Sequence, residues 1–369
     1  MGIPAETFAT DALFQPLKLG RIDVANRMAM APLTRSRAND ALEPTDMVVE
    51  YYRQRASVGL IIAEATQISA TAQGYTNTPG IHTPAQIAAW KQVTDAVHAK
   101  GGKIFVQLWH TGRMSHNAFQ PNQQAPVAPS AIAPKAKTYI VGQGYVDCAV
   151  PRALETAEIA GVVNDFRQAA ANAIAAGFDG VEIHGAHGYL IDAFLRDGSN
   201  HRTDQYGGSI ENRARFLLEV MAAVTQEIGA DRTGIRLSPV SPVNDSSESN
   251  PQPLFEHVVR ELEKLHPVYI HVVEGHTGGP RDNAPFDYEA LRRLYSGIWM
   301  VNNGYTKEMA VEALRSGRAD MVSFGRAMIT TPDLPRRFRD NLPLNEPFAD
   351  APVYGGTGPH GYTDYPALP

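Results

Sequence analysis

Residues 180–189 read GVEIHGAHGY, an apolar, strand-like run that ends at its C-terminal side in His184, His187 and Tyr189. The same design recurs along the chain. The stretches RMAMAP (27–32), LIIAEAT (60–66), KIFVQLWH (103–110), GVEIHGA (180–186), GIRLSP (234–239), VYIHVVEG (268–275), WMVNNG (299–304) and MVSFGR (321–326) predict eight strands. Helix-like segments fill the intervals. Thr83-Pro84-Ala85-Gln86 supplies an N-cap, a first-turn proline and a capping-box glutamine, after which Ile87, Trp90, Val93 and Val97 fall on one stripe. Further helices are expected over 156–177, 209–229, 254–265, 287–296 and 306–317.

Parallel strands with helical crossovers form either an open, doubly wound sheet or a closed barrel. The polar residues decide between the two. Thr34, Glu64, Gln107 with Trp109, His184, Arg236, Asn303, and Gly325 with Arg326 mark the C-terminal ends of nearly all the strands. An open sheet gathers its functional groups at one switch point, whereas a barrel rings them around one face. The expectation is an α/β chain forming a single TIM (β/α)8-barrel domain over residues 1–369. A hairpin at 16–27 closes its N-terminal mouth, and a long excursion over 111–152 after the third strand caps the catalytic face.

Composition narrows the function. The 33 Lys and Arg are scattered and the net charge is -6, so no polyanion-binding surface is expected and nucleic acid is not a partner. No apolar stretch reaches the ~20 residues of a membrane-spanning helix, and the N-terminus has no signal-peptide pattern, which predicts a cytoplasmic protein without a membrane partner. Cys148 is the only cysteine, which excludes intrachain disulfides and cysteine-ligated clusters. Gly356-Thr357-Gly358-Pro359-His360-Gly361 matches a dinucleotide fingerprint formally but lacks the preceding strand and following helix. The neighbouring Tyr354, Tyr362 and Tyr365 suggest a C-terminal segment folded back over the barrel.

His184 and His187 admit three readings. As metal ligands they lack support: Glu182 is read as turned away from His184 by strand alternation, Asp192 falls in the following helix, and strand 1 ends in Ala31-Pro32-Leu33-Thr34 without a His-x-His. As structural histidines they would not need Tyr189, Trp109 and Thr34 on the same face. Two imidazole N–H groups aimed at one oxygen would instead stabilise charge developing on a carbonyl or nitro group, with a phenol nearby as proton source. Gly304 and Gly325-Arg326, after strands 7 and 8, sit where barrels commonly bind a phosphorylated ligand.

APLTR (31–35), EYYRQRA (50–56), EATQIS (64–69), VQLWHTGR (106–113), EIHGAHGYL (182–190), RTDQYGGSIENRARF (202–216), GIRLSP (234–239), NNGYT (302–306), FGR (324–326) and YGGTGPHGYTDYP (354–366) together resemble the Old Yellow Enzyme family from about Leu13 onward. The resemblance implies an FMN-dependent ene-reductase, with NADPH or NADH as reductant. It places FMN against Pro32, Leu33, Thr34, Ala65, Gln107 and Arg236, and its phosphate against Asn303, Gly304, Gly325 and Arg326. Arg236 would favour the anionic reduced flavin. His184 and His187 would hold the substrate oxygen while hydride reaches the β-carbon, and Tyr189 would protonate the α-carbon. Tyr75, Trp109 and Tyr354 would line the substrate pocket, and Thr34 stands where another branch of the family has cysteine.

The substrates so implied are electrophilic alkenes: α,β-unsaturated carbonyls, maleimides and nitroalkenes. Reductive denitration of nitrate esters or nitroaromatics is the alternative in the same pocket, and a non-catalytic flavin-binding protein the alternative from another class. With no dinucleotide fold, the nicotinamide would enter the substrate pocket in a ping-pong cycle. A monomer or homodimer is expected, and the loops 131–150 and 241–253 depart from the family pattern.

Overall fold

A computed structural model describes residues 12–282 and 285–368. Eight parallel strands close into a barrel in chain order: Met28–Met30, Leu60–Gln67, Ile104–Trp109, Gly180–Gly185, Thr233–Leu237, Tyr269–Val273, Ile298–Asn302 and Met321–Phe324, the last pairing with the first. All eight predicted strands are present. Helices Pro84–His98, Thr156–Ala175, Ile210–Ile228, Pro251–Leu265, Tyr288–Arg293 and Lys307–Arg315 occupy the expected intervals. The capping box at Thr83 forms as expected: its side chain accepts from Gln86 N while the Gln86 side chain accepts from Thr83 N.

Two helices beyond those expected from the sequence matter to the site. Asp46–Gln54 bridges the first two barrel strands and buries Val48, Tyr51 and Tyr52. Leu190–Leu195 follows the fourth strand directly, and its six residues are all buried. Among the described residues no helix is long and apolar enough to cross a membrane.

Alternation along the strands sorts the barrel into two cores. Outward residues such as Ile61, Val106, Ile183, Ile235, Val272 and Val322 join the helices in one large cluster. Inward residues Ala29, Leu60, Ile62, Phe105, Tyr269, Met300 and Met321 form a second, capped by Leu19, Val24 and Val268. This second cluster is the N-terminal half of the barrel interior, filled as TIM barrels are. The predicted hairpin plugs it: Leu17–Leu19 pairs antiparallel with Ile22–Val24. Its turn lies so close to the barrel that a Cβ on Gly20 (φ +57°) would collide with the Asp231 carbonyl oxygen, and Arg21 grips the Asp231 carboxylate at 2.8 Å.

The excursion after strand 3 is built rather than loose. A short strand Val127–Ala128 pairs with Arg152–Ala153, and Lys137–Ile140 forms an antiparallel hairpin with Gly144–Asp147. The C-terminal segment does fold back. Arg35 donates to the carbonyls of Val353 (2.8 Å) and Gly361 (2.9 Å), and Tyr362 is buried with its ring stacked 4.3 Å from Tyr51.

Candidate active site

At the C-terminal end of the barrel opens a cavity of about 1470 Å³, larger than the ~300–1,000 Å³ of ordinary small-molecule pockets. Pro32, Leu33, Thr34, Ala65, Tyr75, Gln107, Trp109, His184, His187, Tyr189, Arg236, Asn303, Gly304, Gly325, Arg326 and Tyr354 all line it, so every site residue expected from the sequence meets in one place. Lys137, Tyr139, Val141 and Tyr145 of the excursion hairpin reach its rim, as expected of a cap.

Glu64 is the exception among the strand-end residues. A β-bulge between Ala63 and Thr66 breaks the alternation of the second strand, and Glu64 turns out of the barrel to meet Arg35 N and the Tyr52 hydroxyl, each at 3.3 Å. Burial there pushes its carboxyl up to about 7. Glu182 also departs from the expectation. Residues two apart on a strand share a face, so Glu182 points inward with His184, one layer deeper, and binds Gln107 and His271.

The floor of the cavity is a ring of inward residues from alternate strands, as barrel layering requires: Ala31, Gln107, Arg236 and Asn302. Arg236 donates through Nη2 to Asn302 Oδ1 (2.8 Å), while its Nε is buried without a partner. Such an orphan is expensive unless a ligand satisfies it. Asn302, His271 and Ser323 escape sequence reasoning, because one polar residue in an apolar strand carries no pattern. The available clue is His271 at an inward position of VYIHVVEG.

The strand 4 turn positions the histidines and the tyrosine. His187 (φ +60°) and Gly188 (φ +71°) are both left-handed, and a Cβ on Gly188 would stand 3.2 Å from the Asn244 Cβ. A non-glycine residue held there requires support. His187 N donates to Ser238 Oγ (2.8 Å), Asn244 Nδ2 donates to the His187 carbonyl (2.8 Å), and Gly188 N donates to Asp192, which is itself paired with Arg196. Asn244 belongs to the 241–253 loop, so that loop forms part of the site.

The two imidazole rings stand 5.5 Å apart and nearly perpendicular, and His184 lies 4.9 Å from the Tyr189 ring. His184 stacks on Trp109, which stacks in turn with Tyr75. His184 Nδ1 is buried without a partner, and His187 Nε2 is 2.9 Å from Thr277 Oγ1. Burial, together with neighbouring His187 for His184 and Arg236 for both, holds the two rings well below the usual histidine range, so both are neutral near pH 7. Burial raises Tyr189 to about 12, against hydrogen bonds with Tyr75 (3.1 Å between the hydroxyls) and the Asn244 side chain. Its proton is therefore retained across the physiological range.

The floor suits a planar heterocycle that takes a hydrogen bond from a cation and exchanges others with an amide. Beside it, a Cβ placed on Gly304 would meet no atom within 4 Å, so the backbone there is open to the cavity. Among the described residues no group of three or more His, Cys, Asp and Glu is placed to hold a metal ion.

A model of the NADH:flavin oxidoreductase / NADH oxidase family matches residues 12–345. Similar proteins include 12-oxophytodienoate reductase 2 of Arabidopsis thaliana, 44% identical over 371 residues, or 99% of this chain and 98% of that protein. Another is 12-oxophytodienoate reductase 1 of Oryza sativa subsp. japonica, 45% identical over 374 residues, 99% of this chain and 96% of that protein. Morphinone reductase in complex with tetrahydroNAD superposes with a TM-score of 0.91 at 47% identity, covering 97% of this chain and 98% of that one. The Old Yellow Enzyme homologue from Zymomonas mobilis does so with a TM-score of 0.91 at 43% identity, over 96% and 99% of the two chains.

Proposed function

The chain belongs to the NADH:flavin oxidoreductase / NADH oxidase family, the Old Yellow Enzyme family of FMN-dependent oxidoreductases, and from that premise we propose that it reduces activated C=C bonds with protonation by Tyr189. The substrates are α,β-unsaturated carbonyls, maleimides and nitroalkenes. FMN, when bound, would supply the hydride for the β-carbon, with a nicotinamide as its reductant. The observation that carries the proposal is the convergence of two imidazoles and one phenol over a floor that includes the Arg236 guanidinium.

Arg236 and the Gln107 side chain would hold the ring of FMN, with Thr34 and the backbone of Pro32, Leu33 and Ala65 at its edge. Asn303, Gly304, Gly325 and Arg326 would hold its phosphate. Asn303 suits this through its backbone, since its side chain is already committed to the carbonyls of Glu274 and His276, both at 2.7 Å. Tyr75, Trp109 and Tyr354 would form the walls around the substrate.

His184 and His187 bind the carbonyl or nitro oxygen. Being neutral, each offers one N–H without giving up a proton, and each stabilises negative charge as it builds on that oxygen. With Thr277 Oγ1 as the donor to His187 Nε2, the ring proton would sit on Nδ1, available to the substrate oxygen. Tyr189 then transfers its proton to the α-carbon. The phenolate so formed is stabilised by the Tyr75 hydroxyl and the Asn244 amide.

The test follows the visible spectrum of the FMN-loaded protein anaerobically, with NADPH or NADH and then 2-cyclohexenone. The expected result is bleaching by a nicotinamide and recovery of the yellow band with the enone. Bleaching without recovery moves the oxidant to nitrate esters or nitroaromatics, and an absorbance that neither nicotinamide changes overturns the proposal.

A further inference from the structure

Directly beneath the floor lies a second ring of inward residues, from the even-numbered barrel strands: Glu182, His271 and Ser323, each at most 1% exposed. The mechanism uses none of their protons. Barrels ordinarily fill such a layer with branched aliphatic side chains, and a carboxylate in a dry interior is unfavourable without compensation. Among the described residues no arginine or lysine is hydrogen-bonded to Glu182. Its partners are the Gln107 amide nitrogen at 2.7 Å and His271 Nδ1 at 2.8 Å, and His271 Nε2 continues to Ser323 Oγ at 2.7 Å.

The direction of every bond in this chain follows from its first member. A carboxylate only accepts, so the Gln107 side chain must turn its NH2 down to Glu182. His271, kept neutral by burial, must carry its proton on Nδ1, which leaves Nε2 to accept from the Ser323 hydroxyl. With its nitrogen engaged below, Gln107 presents its carbonyl oxygen, an acceptor, to the cavity. Two strands away the Arg236 guanidinium also lines the cavity and can only donate. An acceptor beside a donor is the complement of a ring imide, whose N–H lies next to a carbonyl.

We propose that Glu182 is a positioning residue: through Gln107 it fixes the hydrogen-bond polarity of the cavity floor and holds a negative charge below the cofactor ring. The inference rests on the reading that Gln107 touches FMN, and its consequence falls on the cofactor before any substrate arrives. Glu182→Gln keeps the volume, removes the charge and lets the Gln107 amide rotate, because a second amide can donate as well as accept.

The experiment is FMN titration of the apoprotein together with the two-electron midpoint potential of the bound flavin, for the wild type, Glu182→Gln, Gln107→Leu and the double variant. Loss of the anchoring bond should weaken FMN binding by about tenfold in Glu182→Gln. The midpoint potential should move positive, since reduction adds charge to a ring no longer facing a carboxylate. In the double variant the affinity should match Gln107→Leu alone. If Glu182→Gln lowers thermal stability while leaving the midpoint potential unchanged, Glu182 is merely structural and the proposal fails. If Gln107→Leu leaves both affinity and potential unchanged, the underlying placement of FMN fails instead. Should Glu182→Gln not fold, Glu182→Asp serves: the shortened carboxylate keeps its charge and releases Gln107, so affinity falls at a nearly constant potential, and unchanged affinity contradicts the proposal.

Discussion

The two ends of this barrel use the same strands for opposite purposes. At the N-terminal end Phe105, Tyr269, Met300 and Met321 pack under the hairpin residues Leu19 and Val24, in a plug that is almost entirely apolar. At the C-terminal end, two to four residues further along these and the neighbouring strands, the inward positions are Gln107, His184, Arg236, His271 and Asn302, and two of their polar atoms, His184 Nδ1 and Arg236 Nε, are buried without a partner. At the first end the one such atom among these residues is the Tyr269 hydroxyl, and the rest of the plug is apolar packing. The second holds unsatisfied donors whose burial is offset when FMN and substrate arrive, so stability is expected to reside mainly at one end and activity at the other.

Substitutions that separate the ends test this division. Phe105→Ala, which removes a ring 1% exposed and 5.9 Å from Tyr269, should lower stability by about 3–5 kcal/mol in chemical denaturation. The rate constants of the molecules that remain folded should hardly change. A loss of rate at unchanged stability would break the comparison. His184→Ala should do the reverse. Since the protein satisfies no hydrogen bond through His184 Nδ1, its removal orphans nothing there, and the rate of enone reduction should fall by ~10²–10³ with stability little altered.

A pH profile sharpens the picture at the active end. With Tyr189 as the proposed acid, raised to about 12 by burial, the oxidative half-reaction should stay level through pH 10, where an ordinary tyrosine ionises, and decline only above pH 11. A decline centred on pH 10 would mean that Tyr189 is solvated rather than buried. The smallest effect is expected at the closed end's rim. Arg21 and Asp231 are about half exposed, so Arg21→Ala should change stability by no more than ~1 kcal/mol and leave FMN binding alone.

The closed end is also the easier to read from sequence. The strand bodies are uniformly apolar and bounded by turn residues, so LIIAEAT, KIFVQLWH and GVEIHGA declare both their type and their limits. The site residues at strand ends are legible because polar side chains break an apolar run there. Glu64 defeats that rule because a bulge shifts the phase of its strand, and no residue pattern marks the shift. Glu182 is legible by the same rule, since period-2 alternation places it on the inward face with His184. Asp46–Gln54 is detectable from the spacing of Val48, Tyr51, Tyr52 and Arg55. Thr277 and Asn244 are not, because they reach the site from loops whose course only tertiary packing decides.

The central claim is that Tyr189 delivers the second hydrogen after hydride transfer, and it is tested most directly by separating the half-reactions of Tyr189→Phe in anaerobic stopped flow. The account predicts flavin reduction by the nicotinamide at close to the wild-type rate, reoxidation by 2-cyclohexenone slowed by ~10²–10⁴, and reoxidation by a nitroalkene affected less, because a nitronate can leave unprotonated. Equal losses in flavin reduction and with both acceptors, or undiminished reoxidation by the enone, would contradict it.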